Sequence, residues 1–188
     1  MVEYRQLFTM IKEQTARLSQ LVGTLLDMTN LKSVPRTDQV TLEELVDEVF
    51  CDLDPVADKH QIRLIQTEGD CTVTGSYILL YRAVYNLVEN AIKYNRPSGS
   101  VTVNIHSAES AVLEVTDTGI GISPENQEKI FDPFYRVDKS RSRAMGGAGL
   151  GLALVSEIAR QHNGQVKVTQ SSEKGSTIAL ILPKSTDY

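Results

Sequence analysis

The sequence predicts an α+β fold: a two-layer α/β sandwich whose mixed sheet is covered on one face by helices, preceded by one long amphipathic helix. Three observations predict it. Apolar residues recur at alternating spacings of three and four over residues 4–31. Period-two segments pair across short turns within 101–116 and 166–182. Segments of helical period at 41–53, 77–94 and 150–162 are interleaved with them, so strands make one layer and helices the other.

The elements follow in order. Tyr4, Leu7, Ile11, Gln14, Leu18, Leu21, Leu25 and Met28 form an a/d seam broken only by Gln14, with Glu13, Arg17, Gln20 and Asp27 on a solvated face. Such a helix wants a partner helix or a dimer mate, or else the chain's own globular part. Pro35 ends it, and Ser33 to Gln39 reads as a hinge. Thr41-Leu42-Glu43-Glu44 reads as a capping box opening a helix with Leu45, Val46, Val49, Phe50 and Leu53 inward. Ile62 to Ile65 and Thr72 to Thr74 are short strands. The helix 77–94 offers Ile78, Leu80, Val84, Leu87, Val88 and Ala91 to the core. Val101 to His106 and Ala111 to Thr116 form an antiparallel pair joined at Ser107–Ser110. Ser123-Pro124 starts a short helix toward Ile130. Leu150 to His162 is the last helix, with Leu152, Val155, Ile158 and Ala159 inward and Gly164 as its C′ stop. Val166 to Thr169 and Thr177 to Leu182 finish as a hairpin.

Composition bounds the function. At 188 residues the chain can bury a sizeable core and fits one domain plus an appendage. A net charge of −5 gives no global attraction to nucleic acid or anionic lipid. No apolar run approaches the ~20 residues of a membrane span, and the N-terminus lacks a signal-peptide apolar region. Cys51 and Cys71 have no metal-type spacing. They leave a disulfide open, and two buried thiols in a reducing cytosol is the expectation.

Chemistry concentrates in three segments. On helix 77–94, Asn86, Asn90 and Lys93 are spaced four and three, which puts them on one face. An Asn carbonyl is a hard ligand of the kind Mg²⁺ accepts beside phosphates and water. Lys93 can neutralise phosphate, and Tyr94 has a flat ring for a purine. A solvated amphipathic face would carry the same residues. The amides, however, lie next to Leu87, Val88 and Ala91, and unpaired amides beside a core are costly.

Asp117-Thr118-Gly119-Ile120-Gly121 follows a strand. Asp117 can accept a hydrogen bond from the exocyclic amine of adenine, while Gly119 and Gly121 let backbone approach the ring. An ordinary turn has the same composition. Gly146-Gly147-Ala148-Gly149-Leu150-Gly151 opens a helix, where free N–H groups and the positive dipole end attract phosphate. Upstream, Phe131-Asp132-Pro133-Phe134-Tyr135-Arg136 leads into Lys139, Arg141 and Arg143, charges suited to a lid over a triphosphate or to a solvated loop. The order of these strings is more specific than any one of them.

In that order the segments resemble the N, G1, F and G2 boxes of sensor histidine kinases of two-component systems, part of the Bergerat-fold superfamily shared with gyrase B, mismatch-repair ATPases and heat-shock chaperones. Phe134-Tyr135-Arg136-Val137-Asp138-Lys139-Ser140 is closest to the membrane-sensor type. The resemblance implies that residues 35–188 are a catalytic and ATP-binding domain. Residues 1–34 would be the second helix of a dimerisation and histidine-phosphotransfer hairpin. It implies ATP and Mg²⁺ as ligands, with Asn90 on the metal and Asn86 and Lys93 on phosphates. Tyr94 would pack on adenine, Asp117 would read its amine, and Gly119 and Gly121 would shape the pocket. Arg136 would belong to the lid, the amides of Gly147, Gly149, Leu150 and Gly151 would hold phosphate, and Thr177 would lie near the base. Ala148 stands where a hydroxyl residue is common.

Two departures refine the expectation. ATP-hydrolysing relatives place a Glu, as general base, where this chain has Asn86, which takes no proton at neutral pH. That disfavours water activation and the anti-sigma-factor type of serine kinase. None of His60, His106 and His162 stands in the family's phosphoacceptor context, so each is expected to be structural or on the surface. The expectation is therefore a cytoplasmic fragment of a longer, membrane-anchored receptor, beginning after the phosphorylation site and unable to phosphorylate itself. Its partners would be the histidine-bearing hairpin, from its own kinase or a dimer mate, and a response-regulator receiver domain, with no nucleic acid and no membrane contact. The alternative is a non-catalytic nucleotide-binding module that controls dimer or partner contacts.

Overall fold

The computed structural model describes residues 31–67, 69, 71–137 and 149–184, together with 8, 11, 12, 15, 19, 22 and 23. Those seven are helical, in keeping with the N-terminal helix; Phe8, Ile11 and Val22 are exposed. The rest of the heptad seam (Tyr4, Leu7, Gln14, Leu18, Leu21, Leu25 and Met28) lies outside the described residues.

A 3-10 turn at Leu31–Ser33 is followed by strand β1 (Asp38–Thr41) and helix α1 (Leu42–His60). Strands β2 (Arg63–Gln66) and β3 (Thr72–Gly75) lead to helix α2 (Tyr77–Lys93). The hairpin β4 (Ser100–Ser107) and β5 (Ser110–Asp117) comes next, then helix α3 (Gly151–Gln161) and the hairpin β6 (Gln165–Ser172) and β7 (Gly175–Pro183). Five strands form one mixed sheet in the order β2-β4-β5-β7-β6, with β2 parallel to β4 and the other pairs antiparallel. β1 and β3 form a separate antiparallel pair.

The expected two layers are present, and strand alternation produces them. Val101, Val103, Ile105, Ala111, Leu113, Val115, Ile178, Leu180 and Leu182 are all buried, and they belong to one core cluster with the apolar faces of the helices. On the helices that cluster takes Leu45, Val46, Val49 and Leu53 of α1, Leu80, Val84, Leu87 and Val88 of α2, and Val155 and Ile158 of α3. Each such Leu or Val contributes about 1.5–3 kcal/mol relative to exposure. Among the described residues, no helix is long and apolar enough to cross a membrane.

Several local expectations are corrected. Thr41 makes no side-chain cap; it ends β1, and the Leu42 N–H donates to the Cys71 carbonyl at 3.0 Å. Strand pairing has displaced the capping box. The expected hinge over Ser33–Gln39 is partly tied down, with Leu31 in the core, Arg36 Nη1 donating to the Leu31 and Val34 carbonyls, and β1 beginning at Asp38. Ile78 is 55% exposed, because the inward stripe runs through Leu79, Leu80, Ala83 and Val84. The short helix after Ser123 is two 3-10 turns, Pro124–Asn126 and Lys129–Phe131, with the Ser123 hydroxyl held by Glu125 and Asn126. Gly164 is not the left-handed residue; Asn163 is, at φ 55°, and Gly164 is needed because a side chain there would strike the Ile181 carbonyl. Cys71 is buried but Cys51 is exposed, and both thiols are free.

His162 is structural, as expected. Its Nε2 accepts the Ser76 N–H at 3.0 Å, and its Nδ1 lies 2.8 Å from the Ile158 carbonyl, which fixes the neutral tautomer with the proton on Nδ1. It ties the end of α3 to the start of α2. Burial is the largest cause holding its pKa below the ordinary value, and the nearby Arg36 adds to it. Between that lowered value and about 6.5, the unfolded chain binds a proton that the native state does not. The contribution of His162 to stability is therefore complete above about pH 6.5 and lost as pH falls below it. Urea midpoints measured from pH 7.5 down to 5 are expected to decline less in His162→Gln than in the natural chain.

Candidate nucleotide-binding site

The site grows from α2. Its buried face fixes the helix on the sheet, which leaves Asn86, Asn90, Lys93 and Tyr94 as a half-buried row along the neighbouring face. Two distant residues hold its first turn: Asp38 Oδ2 accepts the Tyr77 N–H at 3.0 Å, and His162 accepts that of Ser76. At 1.5 Å per residue, Asn86 and Tyr94 are separated by about 12 Å along the axis.

At the Asn86 end the row meets α3. A Cβ added to Gly151 would lie 2.7 Å from Asn86 Oδ1 and 3.6 Å from Asn90 Nδ2, so the missing side chain leaves a cradle there. The Asn86 amide donates to the Arg82 carbonyl at 2.7 Å, which turns its oxygen toward Gly151. Asn90 makes no side-chain hydrogen bond among the described residues. Leu150 is the N-cap of α3, its side chain 2% exposed and anchoring the turn, so the first N–H groups of the helix have no side-chain cap.

The lid stem joins here. Gly149 has φ 74°, a conformation other residues resist, and its carbonyl accepts the Phe134 N–H at 2.8 Å. Phe134 itself sits at φ 66°, at a cost of about 1–2 kcal/mol. Tyr135 is anchored by its hydroxyl, 2.5 Å from Asn126 Oδ1. Arg136 Nε and Nη2 are buried with no hydrogen-bond partner among the described residues. A buried cationic donor without a partner costs several kcal/mol, which an incoming anion would offset. Gly147 lies outside the described residues, as do Gly146, Ala148, Lys139, Arg141 and Arg143.

At the Tyr94 end the row meets the turn after β5. Gly119 lies against the Tyr94 carbonyl, which accepts the Ile120 N–H at 3.3 Å. The Tyr94 ring has the Lys93 ammonium 5.9 Å from its centroid. Asp117 Oδ1 accepts the Gly119 N–H at 2.7 Å, and Oδ2 accepts the Ser176 hydroxyl at 2.7 Å. A carboxylate has about four acceptor positions, so two remain. Gly121 packs against the Ser172 carbonyl of β6 and so braces the turn rather than lining an open space.

The expectation for Thr177 is corrected. Successive strand residues point to opposite faces, and the Thr177 hydroxyl lies 3.0 Å from that of Thr116, across the sheet from the Asp117 side chain. Ser176 takes the place beside Asp117. The signal was present in the sequence, since counting back by twos from the core residues Leu180 and Ile178 reaches Ser176. Among the described residues no cluster of three or more His, Cys, Asp or Glu could hold a metal. The hard ligand on hand is the Asn90 carbonyl, which fits a cation carried in with phosphates. An open depression lined by Phe8, Ile11, Lys12, Thr15 and Ser19 belongs to the N-terminal helix and shares no residue with this site.

A mixed sheet backed by helices, with polar residues and a glycine turn gathered at one helix start, defines a nucleotide-binding domain of the ATPase type. The chain belongs to the family described as "Histidine kinase-, DNA gyrase B-, and HSP90-like ATPase", whose model matches residues 75–186. Within it, the chain carries the ATP-binding domain of a sensor histidine kinase. It is 37% identical over 180 residues to the sensor-like histidine kinase SenX3 of Mycolicibacterium smegmatis, spanning 93% of this chain and 47% of that one. It is 37% identical to the sensor histidine kinase RppB of Synechocystis, over 92% of this chain and 39% of that one. The chain thus spans less than half the length of these curated relatives. Its fold matches the mycobacterial sensor histidine kinase MprB at a TM-score of 0.68 and 29% identity, over 80% of this chain and 99% of that one.

Two substitutions test the two ends. Asp117→Asn is expected to lower ATP affinity about 10–100-fold, the range of one charge-assisted hydrogen bond, and GTP affinity much less; equal losses would contradict adenine reading. Gly151→Ala pushes Asn86 aside and is expected to weaken ATP binding on the order of tenfold, with little change in thermal midpoint. Titration calorimetry and a melting curve check both.

Proposed function

We propose that this chain is the catalytic portion of a sensor histidine kinase. It holds Mg·ATP so that the γ-phosphoryl passes to a histidine on a dimerisation hairpin, belonging to its own kinase or a dimer mate. From there phosphate moves to an aspartate of a response-regulator receiver domain. The observation that carries this reading is the meeting of Asn86, Asn90 and Gly151 at one end of a single helical row whose other end meets Asp117.

Each residue has a task in this reading. Asp117 accepts the adenine amine on its remaining lone pairs, with Gly119 and Ser176 fixing its rotamer. Tyr94 packs on the ring. Lys93 and Asn86 meet phosphate oxygens, and the uncapped amides of Leu150 and Gly151, continued by Gly147 and Gly149, hold the terminal phosphates. Arg136 supplies the buried N–H groups that lack a partner. Asn90 would hold Mg²⁺ through its carbonyl oxygen, and the ion would neutralise phosphate charge.

The transfer needs little covalent help. The lone pair of a neutral imidazole nitrogen forms the bond to the γ-phosphorus as the bond to the ADP oxygen breaks, and ADP leaves with those electrons. Catalysis is then positioning and charge neutralisation. Asn86 cannot take a proton from water, which favours the imidazole over hydrolysis. His162 does not serve as acceptor in this reading, because both its ring nitrogens are already engaged.

Labelled ATP added to this chain with a separately purified histidine-bearing hairpin of the same receptor tests the proposal. Label is expected on the hairpin and none on this chain. Intact binding without transfer would support a non-catalytic module that controls partner contacts, and steady hydrolysis without an acceptor would support an ATPase.

A further inference from the structure

We infer that Asn95 is a positioning residue for base recognition: its side-chain amide clamps the end of α2 to the turn after β5, and so fixes Tyr94 relative to Asp117. The inference rests on the nucleotide reading of the site. Asn95 does not itself meet the base; it acts through the backbone of its neighbours.

The clamp joins three segments that are separate in sequence. Asn95 Oδ1 accepts the Thr118 hydroxyl at 3.0 Å and the Arg96 N–H at 2.9 Å, while Nδ2 donates to the Ser100 carbonyl at 2.9 Å. Thr118 closes the circuit: its Oγ1 accepts the Ser100 N–H at 2.9 Å, and its own N–H donates to the Ser100 carbonyl at 3.2 Å. The end of α2, the first residue of β4 and the turn after β5 are thus held by one amide and one hydroxyl. Gly99 makes room for them, since a Cβ there would fall 2.5 Å from Thr118 Oγ1 and strike Asn95 Oδ1.

Either side of the clamp is a residue that reads the base. Tyr94 precedes Asn95, and Asp117 precedes Thr118. Gly119, whose N–H orients Asp117, would place a Cβ 3.1 Å from the Asn95 Cα, so the two chains run in contact. The amide gives Thr118 an acceptor and Ser100 a donor from one planar group. Aspartate would set a second oxygen against the Ser100 carbonyl, and alanine would remove both bonds, leaving Thr118 tied to Ser100 alone and Tyr94 untied from both.

Affinities of the whole chain for ATP and GTP, measured by displacement of a fluorescent ADP analogue, test this. Asn95→Ala is expected to lower ATP affinity on the order of tenfold and GTP affinity less than about threefold, so the preference for ATP narrows. Thr118→Val is expected to do the same, and the double variant to lose no more than the larger single loss, because the two side chains act as one unit. Equal losses for both nucleotides would mark general structural damage and overturn the inference, as would unchanged ATP affinity in a folded variant. If Asn95→Ala does not fold, Thr118→Val decides by the same ratio, since that side chain is exposed. A natural chain that binds neither nucleotide would refute the nucleotide reading itself, and preserved binding with no narrowing would refute the clamp alone.

Discussion

Helix α2 meets two demands on one cylinder, and the site depends on both being met. Leu80, Ala83, Val84, Leu87 and Val88 must lie in the core, while Asn86, Asn90, Lys93 and Tyr94 must stay reachable beside them. Burial alone would let the helix slide or roll by a residue, and a roll of 100° would put the amides into the core. What prevents it is polar and comes from far away in sequence. Asp38 and His162 hold the first turn, and the turn after Asp117 holds the last. Hydrophobic area chooses the face, and these hydrogen bonds set the register.

The same division explains why a chain of net charge −5 can hold a polyphosphate. Attraction is local and short-ranged at physiological salt, where the screening length is about 8 Å. In the proposed reading it comes from groups that have no side-chain partner among the described residues: the start of α3, the Asn90 side chain, and the buried guanidinium of Arg136. Of these, the buried guanidinium is the costly one to leave unpaired. The strained Phe134 and the positive φ of Gly149 belong to the same region, where backbone geometry favours function over stability.

Much of this was legible in the sequence because period and order are local properties. The strand pairs 100–107 with 110–117 and 165–172 with 175–183, and the helices around Leu80–Ala91 and Val155–Ala159, follow from apolar spacing alone. Asn86, Asn90, Asp117 and Gly151 stand out by residue type and position, and the fold gathers them as two clusters, one midway along α2 and one past its C-terminal end. What escaped was non-local. β1 exists because β3 pairs with it, and no pattern within Asp38–Thr41 announces that. The caps of α2 come from Asp38 and His162, 39 and 86 residues from the groups they bind. Thr177 and Ser176 differ by one residue of strand parity, which turns their side chains to opposite faces and leaves Ser176 beside Asp117.

The most direct measurement is an amide NMR titration of the chain with magnesium and ATP. The backbone signals of Gly119 and Gly151 and the side-chain amides of Asn86 and Asn90 should shift on one shared saturation curve, because a single ligand spans the row from Asn86 to Tyr94. Shifts confined to one end of that row, or a folded protein whose spectrum does not move at all, would contradict a common site.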